Sequence, residues 1–240
     1  MVSNRRMCGR AYATYTRDEL FLNYLNRRAP RLAAAAQVLP NYNLAPTQSV
    51  PVVLVRLDHR TIESFRWGLV PFWAKDLASA SKYSLINARS EEIAEKRSYA
   101  QAFHQRRCVV PLSGFFEWKK DDAGPKRPFA IHLKHGAIMS VAGVWERWTS
   151  ADGQPLHSCS IVTTVANDFM RQLHDRMPVI LAEPDIEGWL NPERRETSHL
   201  QSFLKPCPSD WLTAYEVSTK VNSPRFNTAD ALTPIATPIG

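Results

Sequence analysis

The stretch RCVVPLSGFFEWK, residues 107–119, has a sequence typical of two consecutive β-strands joined by a tight turn. It contains two short runs rich in β-branched and aromatic residues, Arg107 to Leu112 and Phe115 to Lys119, with the turn residues Ser-Gly between them. Both runs are therefore predicted to be strands. The same pattern predicts further strands at Pro128 to Lys134, Ala137 to Trp145, Ser158 to Val165 and Trp211 to Ser218.

The rest of the chain adds a hairpin and helices. Val50 to Leu57 and Thr61 to Trp67 flank an Asp-His-Arg turn, which is typical of a β-hairpin. Helical spacing of apolar residues predicts a helix over Arg17 to Arg28, capped by Thr16, and first-turn carboxylates favour another over Ser90 to Gln105. Short late helices are predicted at Asn167 to Leu173, Pro184 to Leu190 and Glu196 to Leu204. No linker or repeat divides this pattern, so we expect one α+β domain built around antiparallel sheet.

The composition narrows the class of protein. The chain has 240 residues, 44% of them apolar, which is enough for one medium domain with a sizeable core. Its 9 glycines form neither a dinucleotide-binding fingerprint nor a Gly-rich phosphate loop, which argues against Rossmann and P-loop chemistry. The formal net charge of +7 favours a polyanion or an acidic partner and is also compatible with an ordinary basic enzyme.

The sequence shows no export signal and no candidate membrane helix. The amino terminus lacks the apolar run of an export signal, and no stretch approaches the roughly 18 apolar residues of a membrane helix. The four cysteines include no Cys-x-x-Cys pair, which argues against a zinc knuckle and a disulfide framework. We therefore expect a cytosolic protein with reduced thiols.

Cys8 is a candidate reactive residue because Met7 precedes it. If Met7 starts the protein and is removed, Cys8 carries a free amine and a thiol on adjacent carbons. Such an aminothiol traps an aldehyde, since the amine forms an imine and the thiol closes a five-membered ring onto the same carbon. As an internal residue, Cys8 would instead be an ordinary buried small side chain.

Glu117 is a candidate acid or base. It lies between Phe116 and Trp118 on a predicted strand, and partial burial by two aromatics suits a carboxyl to proton transfer. The alternative is an edge-strand glutamate paired with Lys119.

His174 opens the motif His-Asp-Arg-Met-Pro, residues 174–178. A histidine at the end of a short helix can supply a proton near neutral pH or bind a phosphate, and the alternative is a surface histidine beside a structural Asp-Arg pair. His132 and His135 are not a zinc pair, because residues three apart on a strand point to opposite faces.

Three segments mix aromatic, basic and proline residues. They are residues 41–46, 65–73 and 86–91. Such segments suit unpaired bases that stack on rings while guanidinium groups hold phosphates. Packing within the core or loops is the alternative for each of them.

Six motifs taken together resemble the SOS-response-associated peptidase family, also known as abasic-site processing proteins. They are MCGR at 7–10, YNLAP at 42–46, WGLVP at 67–71, INARSE at 86–91, GFFEW at 114–118 and HDRMP at 174–178. The resemblance extends in order from Met7 to about Val221. It implies one α+β domain with an antiparallel β-barrel-like core, short peripheral helices and a positively charged groove for single-stranded DNA.

The resemblance also implies the chemistry. Cys8 would bond covalently to the ring-opened aldehyde of an abasic site and shield the lesion as a thiazolidine. Glu117 would exchange protons, His174 would hold the lesion and protonate the sugar oxygen, and Asn87 would bind in the same pocket. The DNA-binding set would be Arg10 and Arg89 for phosphates, Trp67, Trp118 and Pro46 to shape or stack in the groove, and Asn43. No metal or cofactor is implied.

Residues 1–6 depart from the family pattern, which begins directly before the cysteine. We therefore expect residues 1–6 to be a leader that is either not translated, because the protein starts at Met7, or trimmed. A domain at 7–221 follows, and the tail at 222–240 carries no motif. The expected partner is single-stranded DNA with abasic sites, with replication or repair proteins as further candidates, in the cytoplasm and with the nucleoid. Two alternatives remain: a cysteine peptidase that uses Cys8 and His174, including on its own leader, and a non-catalytic single-strand binder.

Overall fold

The computed structural model describes residues 9–25, 40–83, 85–120 and 124–239. Within these ranges the strands are β1 Ala11–Ala13, β2 Asn41–Leu44, β3 Ser49–Arg56, β4 His59–Trp67, β5 Asn87–Arg89, β6 Arg107–Leu112, β7 Gly114–Lys119, β8 Arg127–Leu133, β9 Met139–Thr149, β10 Pro155–Val165, β11 Arg176–Pro178 and β12 Leu212–Glu216. The α-helices are α1 Arg17–Tyr24, α2 Leu77–Lys82, α3 Ala100–Gln105, α4 Glu183–Leu190 and α5 Thr197–Ser202. The mixed α+β class is thereby confirmed, as is the hairpin formed by β3 and β4.

Five strands close into a ring, which confirms the barrel-like core. β4 pairs with β3, β3 with β6, β6 with β9 and β9 with β10, all antiparallel. β10 then closes the ring onto β4, and this pair is parallel, with Ser158 opposite Arg66 and Cys159 opposite Trp67. The expectation of purely antiparallel pairing is wrong at this seam and at β5, which also runs parallel to β10.

A second sheet has the strand order β12-β8-β7-β1-β2. β1 lies beside β7, with Ala11 opposite Phe115 and Tyr12 opposite Gly114. The amino-terminal strand is thus adjacent to the strand that carries Glu117. Beyond Val221 the chain returns to this sheet, where Ile239 bridges to Ala214.

Alternation along β3 distributes its side chains between two clusters. Val50, Val52 and Leu54 pack with second-sheet residues such as Phe115, whereas Val53 packs on the opposite side with side chains of the helices. Each face of the strand is therefore buried, which explains its continuous apolar sequence.

Two predicted helices differ in the structure. Within Ser90 to Gln105 only α3 is helical, because the Ser90 N–H donates to Thr163 O and the Glu91 carboxylate pairs with Arg176. Asn167 to Leu173 forms only a 3₁₀ turn at Met170–Gln172. The cap at Thr16 is confirmed, since its Oγ1 accepts from Glu19 N at 3.2 Å, and α1 extends from there to Tyr24. None of the described helices is long and apolar enough to cross a membrane.

Candidate functional site

A cleft of about 530 Å³ brings two separate motifs together. One wall comes from the β7–β8 hairpin and the other from the chain that leads into β11. Its lining residues are Glu117, Trp118, Lys119, Lys120, Lys126, Arg171, Gln172, Leu173, His174 and Asp175. Two predicted catalytic residues, Glu117 and His174, thus share a cleft bordered by four basic side chains.

Glu117 is buried although it carries a carboxyl group. The residue is 4% exposed, and β7 lies inside its sheet between β8 and β1 rather than at an edge. Antiparallel pairing places Glu117 opposite Phe129 of β8. The strand therefore fixes where the carboxyl group lies, which is a requirement for efficient proton transfer to a bound substrate.

The imidazole of His174 is held through its Nδ1 atom. The side chain is 8% exposed, Nδ1 is 3.1 Å from the Arg176 backbone nitrogen, and it is 2.8 Å from Asp175 Oδ1. A neutral ring accepts the Arg176 N–H at Nδ1, whereas a protonated ring donates from Nδ1 to Asp175. In both of these states Nε2 carries a proton and can donate a hydrogen bond, whereas a neutral ring that donates from Nδ1 to Asp175 leaves Nε2 as an acceptor.

Asn87 and Arg89 lie on β5, which pairs with β10, and β10 also pairs with β11 of the histidine motif. β10 pairs with β5 on one side and with β11 on the other, and Thr163 is opposite both Arg89 and Pro178. Tyr99 fixes the β5 backbone by donating from its hydroxyl group to Asn87 O at 2.9 Å. Arg89 is exposed, and its Nη1 is 3.8 Å from Glu92.

The three residues expected to shape or stack in the groove differ in exposure. Trp67 is 1% exposed and donates from Nε1 to Ile86 O at 3.1 Å, so it fixes the segment before Asn87 and offers no ring face to a base. Trp118 is partly buried in the cleft. Pro46 and Trp67 line a smaller cleft of about 110 Å³ with Ile86.

Arg10 and Asn43 meet in the interior. Arg10 Nη1 donates to Asn43 Oδ1 at 2.9 Å and to Val221 O at 2.7 Å. Asn43 has no exposed surface, and its amide group donates to carbonyls between Val221 and Phe226. Desolvation by burial lowers the pKa of Arg10. Both residues hold the chain around residues 221–226, a role that no local sequence signal indicates.

Phe72, Trp73 and Tyr83 form an exposed aromatic patch after β4. Phe72 and Tyr83 are each more than half exposed, Tyr83 meets Trp73 edge-to-face at 5.7 Å, and Arg97 lies 4.9 Å above the Trp73 ring. The sequence of segment 65–73 is compatible with base stacking or with packing, and for Phe65 packing is correct, because this ring is buried in the core. Which of these rings face solvent depends on tertiary packing that the sequence does not display.

The described cysteines are poor nucleophiles. Cys108, Cys159 and Cys207 are free thiols in the interior, and burial raises the pKa of Cys159 and of Cys207 to about 12. A thiol with such a pKa is almost wholly protonated near neutral pH. Cys8 lies outside the described residues.

Comparisons with known proteins agree on the family. Residues 7–224 match the family model described as SOS response associated peptidase (SRAP). The chain is 39% identical to abasic site processing protein YoaM of Bacillus subtilis over 227 residues, which is 94% of this chain and 97% of the relative. It is 31% identical to abasic site processing protein HMCES of Rattus norvegicus, over 95% of this chain and 76% of the relative. A solved protein from Bacteroides thetaiotaomicron superposes with a TM-score of 0.83 at 26% identity, over 95% of this chain and all of the other. The chain therefore belongs to the SRAP family.

Proposed function

We propose that this protein recognises abasic sites in single-stranded DNA and joins to them covalently through Cys8. The names of the relatives, which are abasic site processing proteins, indicate an abasic site as the lesion. The observation that carries the chemistry is the cleft lined by both a buried carboxyl group, Glu117, and His174, whose Nδ1 accepts the Arg176 N–H so that Nε2 can donate.

The course of β1 supports a position for Cys8 next to this cleft. The Phe116 N–H donates to Arg10 O at 2.9 Å, so the β1–β7 pairing continues past Ala11. The same register brings Gly9 level with Glu117. A Cβ built on Gly9 would lie 3.8 Å from the side chain of Ile86, which precedes Asn87. Gly9, which is bonded to Cys8, thus lies between the strand of Glu117 and the segment of Asn87.

The proposed reaction needs an abasic sugar and the free amine of Cys8. His174 donates a hydrogen bond to the ring oxygen as the sugar opens to its aldehyde. The Cys8 amine adds to the aldehyde carbon, and the carbinolamine loses one water to give an imine, with Glu117 carrying the protons. The thiol then adds across the C=N bond, its proton passing to the nitrogen, so the thiazolidine forms with a net loss of one water.

Other residues bind the DNA, shape the site or add positive charge in this proposal. Arg89 and the cleft lysines hold phosphates, and Trp118 with the exposed ring of Phe72 stacks bases. Asn43, Trp67 and Pro46 shape the site from inside. Arg10 contributes positive charge next to Cys8 while its guanidinium group is held by Val221.

A second candidate activity is removal of the leader by the protein itself. The description of the matching family includes the word peptidase, and Met1 to Arg6 precede Met7. Such a cleavage would use Cys8 as the nucleophile and His174 as the base, with the neutral imidazole then carrying its proton on Nδ1 against Asp175 and leaving Nε2 free to accept. Translation of the full chain in a peptidase-free system distinguishes the two origins of a free Cys8, because only self-cleavage shortens the chain there.

Intact mass spectrometry tests the crosslink. The full chain and a chain beginning at Met7 are each incubated with a single-stranded oligonucleotide that bears one abasic site. We expect a protein that begins at Cys8 to gain the mass of the oligonucleotide less one water, and the Cys8→Ala variant to gain nothing. An oligonucleotide without the lesion is the control. Absence of an adduct on a protein whose first residue is Cys8 would refute the proposal.

A further inference from the structure

A segment far along the chain from every recognised motif is hydrogen-bonded to Arg10, just before β1, and to Trp118 of β7. Residues 221–226, which we call the C-terminal clamp, follow β12 and its sheet. Arg10 Nη1 donates to Val221 O at 2.7 Å, and Trp118 Nε1 donates to Asn222 Oδ1 at 2.7 Å. Arg10 is two residues from Cys8, and Trp118 adjoins Glu117.

The clamp acts where regular strand pairing ends. β1 begins at Ala11, and one further backbone hydrogen bond, from the Phe116 N–H to Arg10 O, pairs the chain just before it. Arg10 Nη1 adds hydrogen bonds to Asn43 Oδ1 and Val221 O at this end of the strand. The clamp itself is fixed from below by Asn43, which is fully buried and donates to the carbonyls of Val221, Ser223 and Phe226 at 2.9–3.2 Å. A buried amide with all its hydrogen bonds satisfied specifies one arrangement of its partners.

We propose that the C-terminal clamp positions the reacting groups, and that Asn222 is its positioning residue. The side chain of Asn222 holds Trp118, and the carbonyl of the neighbouring Val221 holds Arg10. Together these two bonds fix the reactive end of the chain against the strand of Glu117. This inference rests on the crosslinking function proposed above. Since a small displacement of reacting groups slows a reaction strongly, the effect should appear in the rate of crosslinking rather than in DNA affinity.

The test compares Asn222→Ala with the parent chain that forms the adduct. At saturating abasic oligonucleotide, we expect the rate of adduct formation to fall about five- to tenfold, which is what loss of one well-formed hydrogen bond produces. The affinity for an intact single strand should change less than about twofold. Asn222→Asp, which keeps an acceptor oxygen for Trp118, should recover most of the rate at saturation.

Asn227→Ala is the matched control. Asn227 Oδ1 accepts from the Tyr42 backbone nitrogen at 2.7 Å, so this variant loses one hydrogen bond just beyond the clamp without touching Arg10 or Trp118. We expect it to crosslink at the parent rate. Trp118→Phe removes the donor of the Asn222 bond, and combining it with Asn222→Ala should slow the reaction no further than the slower single variant does.

Four outcomes would overturn the inference, and only the last of them would also refute the proposed function. A parent rate in Asn222→Ala overturns the positioning role, and so does equal slowing in Asn227→Ala, since that would reflect general loosening of the tail. If Asn222→Ala fails to fold, an unchanged rate in Trp118→Phe overturns it instead. Absence of any adduct from the parent chain refutes the proposed function, and the inference falls with it.

Discussion

Glu117 is a carboxyl group in a place where few carboxyl groups occur. It is 4% exposed on an interior strand and faces the same cleft as His174. Its residue type and aromatic neighbours could be interpreted from the sequence, because alternation along a strand is a local property. The cleft it shares with a histidine 57 positions later could not be predicted, because that cleft depends on how two sheets pack.

Replacing Glu117 tests its role in proton transfer. Glu117→Gln keeps the size and much of the hydrogen bonding but cannot exchange a proton, so we expect adduct formation to slow about 10²-fold. The rate is measured at saturating abasic oligonucleotide on denaturing gels. Affinity for an intact strand, measured by fluorescence anisotropy, should stay near that of the parent. A variant that crosslinks at the parent rate would exclude Glu117 as the acid or base.

Trp67 and Phe72 are expected to respond in opposite ways. Trp67→Phe removes the donor to Ile86 O inside the core, and we expect the free energy of unfolding in urea to fall by about 1–3 kcal/mol. Phe72→Ala changes a ring that is 55% exposed, so stability should shift by less than about 0.5 kcal/mol. Phe72→Ala should instead weaken single-strand binding by about 1–3 kcal/mol. Unaltered DNA affinity in Phe72→Ala would contradict the stacking assignment.

Among the secondary-structure elements, the segment 90–105 shows where a helix predicted from local sequence does not form. Glu91 and Glu92 sit where first-turn carboxylates favour a helix, yet Glu91 bonds Arg176 in a bidentate pair at 2.9–3.0 Å. Arg176 follows Glu91 by 85 residues. An ion pair with so distant a partner has no local sequence signature, and it leaves only Ala100–Gln105 helical. The strands were easier to predict, since their alternation and turns are local.

Arg107 joins two helix ends without a carboxylate. All five N–H groups of its guanidinium donate to backbone carbonyls at 2.5–2.9 Å. The acceptors are Phe103, His104, Trp189, Asn191 and Arg194. The side chain therefore satisfies carbonyls that the ends of α3 and α4 leave without partners within the helix.

Arg107→Met should be strongly destabilising. Methionine fills similar volume but removes the five N–H donors that these carbonyls share, and we expect the free energy of unfolding to fall by about 3–5 kcal/mol. Urea denaturation followed by tryptophan fluorescence measures the change. Arg195→Met, at an exposed arginine nearby, is the control and should remain within about 0.5 kcal/mol of the parent. Equal stability of both variants would contradict this role for Arg107.

At the scale of the whole molecule, the two sheets could be expected but not their closure. The seam of the barrel joins Ser158 and Cys159 to Arg66 and Trp67, which lie about 90 positions earlier. The sequence of neither strand predicts which strand it pairs with, because β-branched residues suit parallel and antiparallel neighbours alike. The same limit applies to Asn43, whose burial beneath the C-terminal clamp follows from the packing of three distant segments.

The stability of the fold should depend on pH through two ion-paired glutamates. Partial burial alone would raise the pKa of Glu63 and Glu91, but hydrogen bonds from Arg56 and Arg176 outweigh it and hold both below 4.5. A carboxyl group with a lowered folded-state pKa stabilises fully above its unfolded pKa, and that stabilisation is lost as the pH falls through the folded value. We therefore expect the urea midpoint to decline between about pH 5 and about pH 3.

Glu91→Gln and Glu63→Gln check this assignment. Each variant should begin less stable near neutral pH and should lose less on acidification, so its midpoint changes more gradually over the same interval. Parallel curves for variants and parent would assign the acid sensitivity to other groups.

The bond from Arg10 to Val221 spans 211 positions of the chain. During synthesis the amino-terminal strand leaves the ribosome long before Val221 is made. Its pairing with β7 can form earlier, but the guanidinium group of Arg10 meets its carbonyl partner only after residue 221 has emerged. If the C-terminal clamp positions the reacting groups as proposed, a nascent chain that stops short of the clamp should crosslink more slowly than the folded protein.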